Sequence, residues 1–179
     1  MAGVVEGIFI AARSGQPMQA VQSVAGVAGR GLLGDRHCRP DPDTVLEPSC
    51  GTSAPPHHAV QDLSLVEGEV LDWLREEHGI ELSGAETRRN VVTRGVRLHE
   101  LIGRQFALGD MLCEGVEVCE PCVSIQRQTG KPVLKPLVHR GGLYARIVQG
   151  GTARIGDAIA PADAAPEPRT PSLVQRETA

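Results

Sequence analysis

Leu112-Cys113-Glu114-Gly115-Val116-Glu117-Val118-Cys119-Glu120-Pro121-Cys122 sets the architecture by its alternation and the chemistry by its end. Leu112, Glu114, Val116 and Val118 fall on one face of a strand, because successive side chains of an extended chain point to opposite sides. The strand delivers the chain to Cys119. Pro121 then precedes Cys122 at the start of a short helix predicted to reach Gln128 and to stop at Gly130. A thiol at a helix start has a lowered pKa, which makes it a thiolate nucleophile or a soft metal ligand.

Outward from this stretch, short strands dominate. Gly3 to Ala11 is apolar and β-branched and ends in the polar turn Arg13-Ser14-Gly15-Gln16-Pro17. Gln19 to Val24 alternates with period two. Asn90 to Thr93 is a short strand stopped by Arg94-Gly95, and Ala145 to Gln149 and Ala153 to Ile159 are strands parted by Gly150-Gly151. One longer helix is signalled: Ser64-Leu65-Val66-Glu67 has the form of a capping box, Val66, Val70, Trp73 and Leu74 recur at helical spacing, and Gly79 is a stop. Pro132 is placed to open another helix toward His139. The expected class is mainly β with a few helices, a barrel or sandwich with helical decoration.

Composition narrows the setting. A chain of 179 residues, 41% hydrophobic and 22% charged, is of single-domain size and of ordinary globular composition. We expect residues 1–160 to form the domain and the Pro-, Ala- and charge-rich 161–179 to be a disordered tail. Arg39 to Pro56 reads as a long loop of the kind that often carries function. No apolar run approaches the roughly 20 residues of a membrane helix, and Met1 to Glu6 lacks signal-peptide character, so a cytoplasmic address without membrane association is expected. A net charge of -4 disfavours nucleic acid as a partner. Lys131 and Lys135 are the only lysines and the remaining basic residues are arginines, which grip phosphate and carboxylate bidentately. Cys38, Cys50, Cys113, Cys119 and Cys122 read as thiols, and their odd number leaves one unpaired in any internal scheme.

Four segments are candidates for chemistry. Cys119-x-x-Cys122 is a zinc half-site, a redox pair or a chance spacing. Zinc would need further ligands from His37, Cys38, Cys113, His57 and His58, and these show no second pair at structural-zinc spacing. Gly29 to His37 is glycine-rich but lacks dinucleotide-binding spacing, so its glycines read as turn residues, while Asp35, Arg36 and His37 are polar groups clustered on a turn. In Thr87-Arg88-Arg89-Asn90 and Thr93, adjacent arginines on a strand would point to opposite faces, leaving at most one for a given pocket. Asn90 offers donor and acceptor to a heterocycle edge. In His139-Arg140-Gly141-Gly142, backbone amides beside Arg140 suit an oxyanion, and the plainer alternative is a tight turn with His139 at a helix C-terminus.

Taken in order, Val27 to Arg36, Arg88 to Gly95, Ile102 to Asp110, Cys119 to Cys122 and Gly151 to Asp157 resemble the MOSC domain, named for the molybdenum cofactor sulfurase C-terminus, over about Val4 to Ala160. The resemblance implies a mostly β fold with a small barrel and a cleft for molybdenum cofactor (molybdopterin). It assigns Cys122 as the functional cysteine that ligates molybdenum or carries sulfur, with Cys119 in a neighbouring position. Arg88 and Asn90 match positions near the pterin and its phosphate. Thr93, Asp35, Arg36, His37, Arg140 and Gly141 are further candidates for cofactor contact. Family members include molybdenum-dependent oxidoreductases that reduce N-hydroxylated compounds and domains that pass sulfur to the cofactor as sulfurtransferases. Both routes need a small-molecule substrate or acceptor and a separate electron-transfer or sulfur-donor protein. No pyridoxal phosphate site is expected, since Lys131 and Lys135 both lie beside prolines.

Overall fold

A computed structural model describes residues 2–40 and 61–164. Most of the Arg39–Pro56 loop, Cys50, His57, His58 and 165–179 therefore lie outside the described residues. The strands are β1 (Gly3–Ile10), β2 (Gln19–Val21), β3 (Ser23–Val27), β4 (Gly31–Leu32), β5 (Leu63–Glu67), β6 (Val91–Arg94), β7 (Gln105–Leu108), β8 (Met111–Val118), β9 (Leu143–Gln149), β10 (Gly151–Arg154) and β11 (Ala158–Pro161). The helices are α1 (Gly68–His78), α2 (Val123–Thr129) and α3 (Leu134–Leu137).

Seven strands close on themselves in the order β11-β7-β8-β9-β5-β6-β1, with β1 pairing back to β11 through Gly3 opposite Ile159 and Val4 opposite Ala158. The fold is thus mainly β with a closed barrel, as expected. β2 hangs from β1, and β10, β3 and β4 form a small separate sheet. The barrel is filled by residues such as Ile8, Leu65, Phe106, Leu108 and Ile159, each at 0% exposure. Burying a side chain of this size stabilises by about 1.5–3 kcal/mol. A second cluster, Leu74, Leu82, Ile125, Val133 and Leu137, lies beneath the three helices.

Several expectations are corrected here. Ser64 to Glu67 is strand β5, not a helix cap. The Ser64 hydroxyl bonds Asn90, and Glu67 accepts from the Leu98 N–H at 2.8 Å. Flanked by β9 and β6, this run is buried on both faces, so its polarity does not alternate. The helix starts at Gly68 and ends, as predicted, at Gly79. Gln19 to Val24 breaks at Gln22 into β2 and β3, and Ala153 to Ile159 breaks at a turn between β10 and β11. On β8 the expected alternation is present, with Met111, Cys113 and Gly115 as the buried residues. Pro161 closes β11, and Ala162–Ala164 form a single 3-10 turn.

Candidate functional site

β8 delivers the chain to the 119–122 loop, as the sequence predicts, and Cys122 is the N-cap of α2, which ends at Gly130 in a left-handed conformation. Cys122 is exposed, whereas Cys119 is fully buried, and both are free thiols. Cys122 opens on a cleft of about 390 Å³, whose walls include Arg36, His37, Arg88, Arg89 and Tyr144. A larger hollow of about 520 Å³ lies beyond α1, against the Lys131–Glu86 ion pair, and contains none of the predicted site residues.

Burial acts to raise the Cys122 pKa. The N–H groups of Ile125 and Ser124, the Ser124 hydroxyl and the charge of Arg89 outweigh it, and the net shift is downward. Cys119 is shifted the other way, chiefly by burial, although Arg89 and a hydrogen bond from the Tyr144 hydroxyl act against that. Burial and its cysteine neighbours push Tyr144 up to about 12, so its phenol stays protonated. One thiol is primed and the other is shut away. That asymmetry is the opposite of what a symmetric metal half-site needs.

The cleft is cationic. Arg39, Arg94, Arg104, Arg146 and Arg154 each reach a carboxylate. Arg36, Arg88 and Arg89 pair with none among the described residues. Arg36 reaches Met18 Sδ at 3.3 Å, and Arg88 donates to the Gln16 carbonyl and to Gln128 Oε1, both at 3.0 Å. Burial lowers the His37 pKa, as do Arg36 and Arg88, while Asp35 opposes them. Three guanidiniums without an ion-paired carboxylate among the described residues, beside an imidazole whose charged form is disfavoured, make a field that favours an anion.

The predicted strand through Arg88 and Arg89 is replaced by a 3-10 turn, Ala85–Thr87, followed by Arg88 at φ 61°. That left-handed residue breaks the alternation, so both arginines line the same cleft, contrary to the expectation that at most one faces it. Arg89 was missed as a site residue for this reason. It is 5% exposed and donates from Nε to the Gly141 carbonyl at 2.8 Å and from Nη2 to the carbonyls of Cys119 at 3.2 Å and Glu120 at 3.0 Å. Tyr144 was missed because only the pairing of β9 brings it to Cys119.

Asp35 and Asn90 lie beneath the cleft rather than reaching into it. Asn90 Oδ1 accepts from the Ser64 N–H and hydroxyl, both at 3.0 Å, and its Nδ2 donates to the Phe9 carbonyl and Asp35 Oδ2, both at 3.3 Å. Asp35 also accepts from the N–H groups of Ala11 and His37, both at 3.0 Å. Asn90 still lines the cleft wall, but its amide is committed to this knot. Thr93 is fully buried and faces the Val66 carbonyl, away from the cleft.

Arg140 stacks over Trp73 at 4.4 Å, also outside the cleft. Gly141 and Gly142 do not line the cleft. A Cβ at Gly141 would collide with the Cys119 carbonyl, and one at Gly142, which has φ 112°, with the Leu65 carbonyl. Gly141 lets the 139–142 segment lie against the cysteine loop, and Gly142 lets it cross β5. His139 clasps Glu120 instead of capping a helix, through its N–H at 2.9 Å and Nδ1 at 2.8 Å. Among the described residues, no three His, Cys, Asp or Glu side chains gather in a way that would hold a metal ion, and no helix is long and apolar enough to cross a membrane.

The YuaD protein from Bacillus subtilis has a similar fold, with a TM-score of 0.66 at 18% identity over 89% of this chain and 94% of that one. YiiM from Geobacillus stearothermophilus gives 0.62 at 14% identity, covering 90% and 75%, and YiiM from Escherichia coli gives 0.58 at 16%, covering 90% and 69%. No curated protein matches the sequence. The family model for the MOSC domain matches residues 54–160, from before β5 to the end of the barrel, and the chain belongs to the MOSC domain family.

Proposed function

We propose that this MOSC protein binds molybdenum cofactor in the cleft, with Cys122 as the thiolate ligand to molybdenum, and reduces N-hydroxylated small molecules with electrons from a separate protein. The observation that carries this reading is the single primed thiol opening on a cleft with three arginines that, among the described residues, lack carboxylate partners. A soft thiolate suits a thiophilic metal, and guanidinium forks suit a phosphate, so the donor set fits the cofactor. Arg88 and Arg36 would hold the phosphate, with His37 beside them. When bound, the cofactor supplies a two-electron redox centre. The protein's part is to present the thiolate, neutralise the anion and keep the Tyr144 phenol protonated at the cleft wall. Cys122 is also the one exposed thiol among the described cysteines. That exposure supports a second reading, in which it accepts a persulfide sulfur from a donor protein and passes it on.

The test is expression in a host that makes molybdenum cofactor, followed by metal, pterin and persulfide analysis of the purified full chain. Molybdenum and pterin in the wild type, lost in Cys122→Ala and kept in Cys119→Ala, are expected for the first reading. Persulfide on Cys122 without molybdenum would favour the second. Stoichiometric zinc, or equal loss in both cysteine variants, would overturn both. Arg88→Ala is expected to weaken retention of the cofactor without unfolding the chain.

A further inference from the structure

The loop that carries the two cysteines is held against the 139–142 segment in three ways. The Cys119 N–H donates to the Gly142 carbonyl at 2.8 Å. The His139–Glu120 clasp is exposed, so water competes for it and it contributes little. Between them lies the buried Arg89 guanidinium, bonded to the carbonyls of Gly141, Cys119 and Glu120.

Arg89 is the only one of these groups that comes from outside the two segments. Its own backbone N–H is fixed by Thr87 Oγ1 at 3.1 Å, and the next residue, Asn90, is pinned in the buried polar knot. Arg89 therefore ties the cysteine loop to the start of β6. Hydrogen bonds from a charged donor are the stronger kind. A guanidinium also fans its donors in a rigid plane, so it can serve three carbonyls at once.

We propose that Arg89 is the positioning residue of this site: by gathering the carbonyls of Cys119, Glu120 and Gly141 it aims Cys122 into the cleft and keeps Cys119 closed behind it. The proposal rests on the reading of Cys122 as the working thiol. A lysine keeps the charge but is a point donor on a flexible stem, so it cannot replace the fork.

The test is native-state alkylation of the full chain with iodoacetamide, read by peptide mapping at Cys119, Cys122 and Cys113, in wild type, Arg89→Lys and Arg89→Gln. Cys113, fully buried in the barrel, reports global opening. In both variants Cys119 is expected to label about tenfold or more faster than in wild type, because local opening is eased by the lost bonds. Cys113 stays protected, and molybdenum or persulfide content falls.

Full protection of Cys119 in Arg89→Lys would overturn the proposal, since charge alone would then suffice. Cys113 and Cys119 labelling together in both variants would also overturn it, by making Arg89 a folding residue. Labelling needs no cofactor. A closed Cys119 in Arg89→Lys beside a loaded wild type refutes the role of Arg89 alone, whereas an opened Cys119 beside a wild type that takes up neither molybdenum nor sulfur refutes the functional reading alone.

Discussion

Replacing Asn90 by Ala separates a scaffold role from ligand contact. Asn90 is 7% exposed, and its side chain makes four hydrogen bonds that join β1, β5 and the Asp35 turn. The two bonds at 3.0 Å, both to Ser64, are well formed, while the two at 3.3 Å are longer. Removing the side chain strands the Ser64 N–H, at about 1–3 kcal/mol for a buried unsatisfied group. The Ser64 hydroxyl can rotate to another acceptor, and Asp35 retains the N–H groups of Ala11 and His37. The cost is therefore about 1–3 kcal/mol, which in a domain of this size lowers Tm by roughly 2–12 °C. Thermal melts followed by circular dichroism, with urea titration to confirm an unchanged slope, measure it. A Tm within about 2 °C of wild type, together with lost retention of the cofactor, would refute the scaffold assignment and return Asn90 to the ligand. Asn90→Asp adds a pH signature. It sets a second carboxylate beside Asp35, which raises the pair's proton affinity in the folded state above its unfolded value. The destabilisation is then full at neutral pH and is relieved as pH falls through the raised pKa.

Three further outcomes are expected. Gly142→Ala drives a Cβ onto the Leu65 carbonyl at φ 112° and should cost about 3 kcal/mol or prevent folding; wild-type stability in urea would show that the crossing can relax. Inorganic phosphate should raise the pKa of His37, read from its ring protons by NMR, because an anion offsets Arg36 and Arg88, which help to hold that pKa down; an unchanged titration with phosphate present would argue against a cationic cleft. Phe106→Ala empties the barrel centre and should cost about 3–5 kcal/mol; a loss below about 1 kcal/mol would mean that the centre collapses to fill the gap.

How far the sequence could be read depended on whether a feature was local. The period of Val70, Trp73 and Leu74 and the stop at Gly79 revealed α1, and the lead into Cys122 and the stop at Gly130 revealed α2, because caps and periodicity are written within one turn. Ser64-Leu65-Val66-Glu67 misled because the same four letters serve a capping box and a strand buried on both faces, and only the neighbouring β6 and β9 decide between them. In the site, Cys122 was legible at a helix start, Arg36 and His37 as polar groups on a turn, and Arg88 as a cation, although on a strand that is not there. Arg89 was not, since its inward aim follows from one left-handed residue before it. Tyr144 was not, since its partner is a cysteine in the loop that follows another strand. Asp35 and Asn90 were legible as important polar residues, but their burial, and hence their internal bonding, was not.

The pairing of β1 with β11 has a consequence for biosynthesis. Gly3 meets Ile159, so the first strand leaves the ribosome with its final neighbour still unmade. Until that neighbour emerges, β1 and β7 each present a row of unpaired backbone groups to the cell. Such non-local closure folds slowly and leaves a nascent chain open to misassociation. A stalled or truncated translation product lacking β11 would be a substrate for chaperones and proteases rather than a smaller working protein.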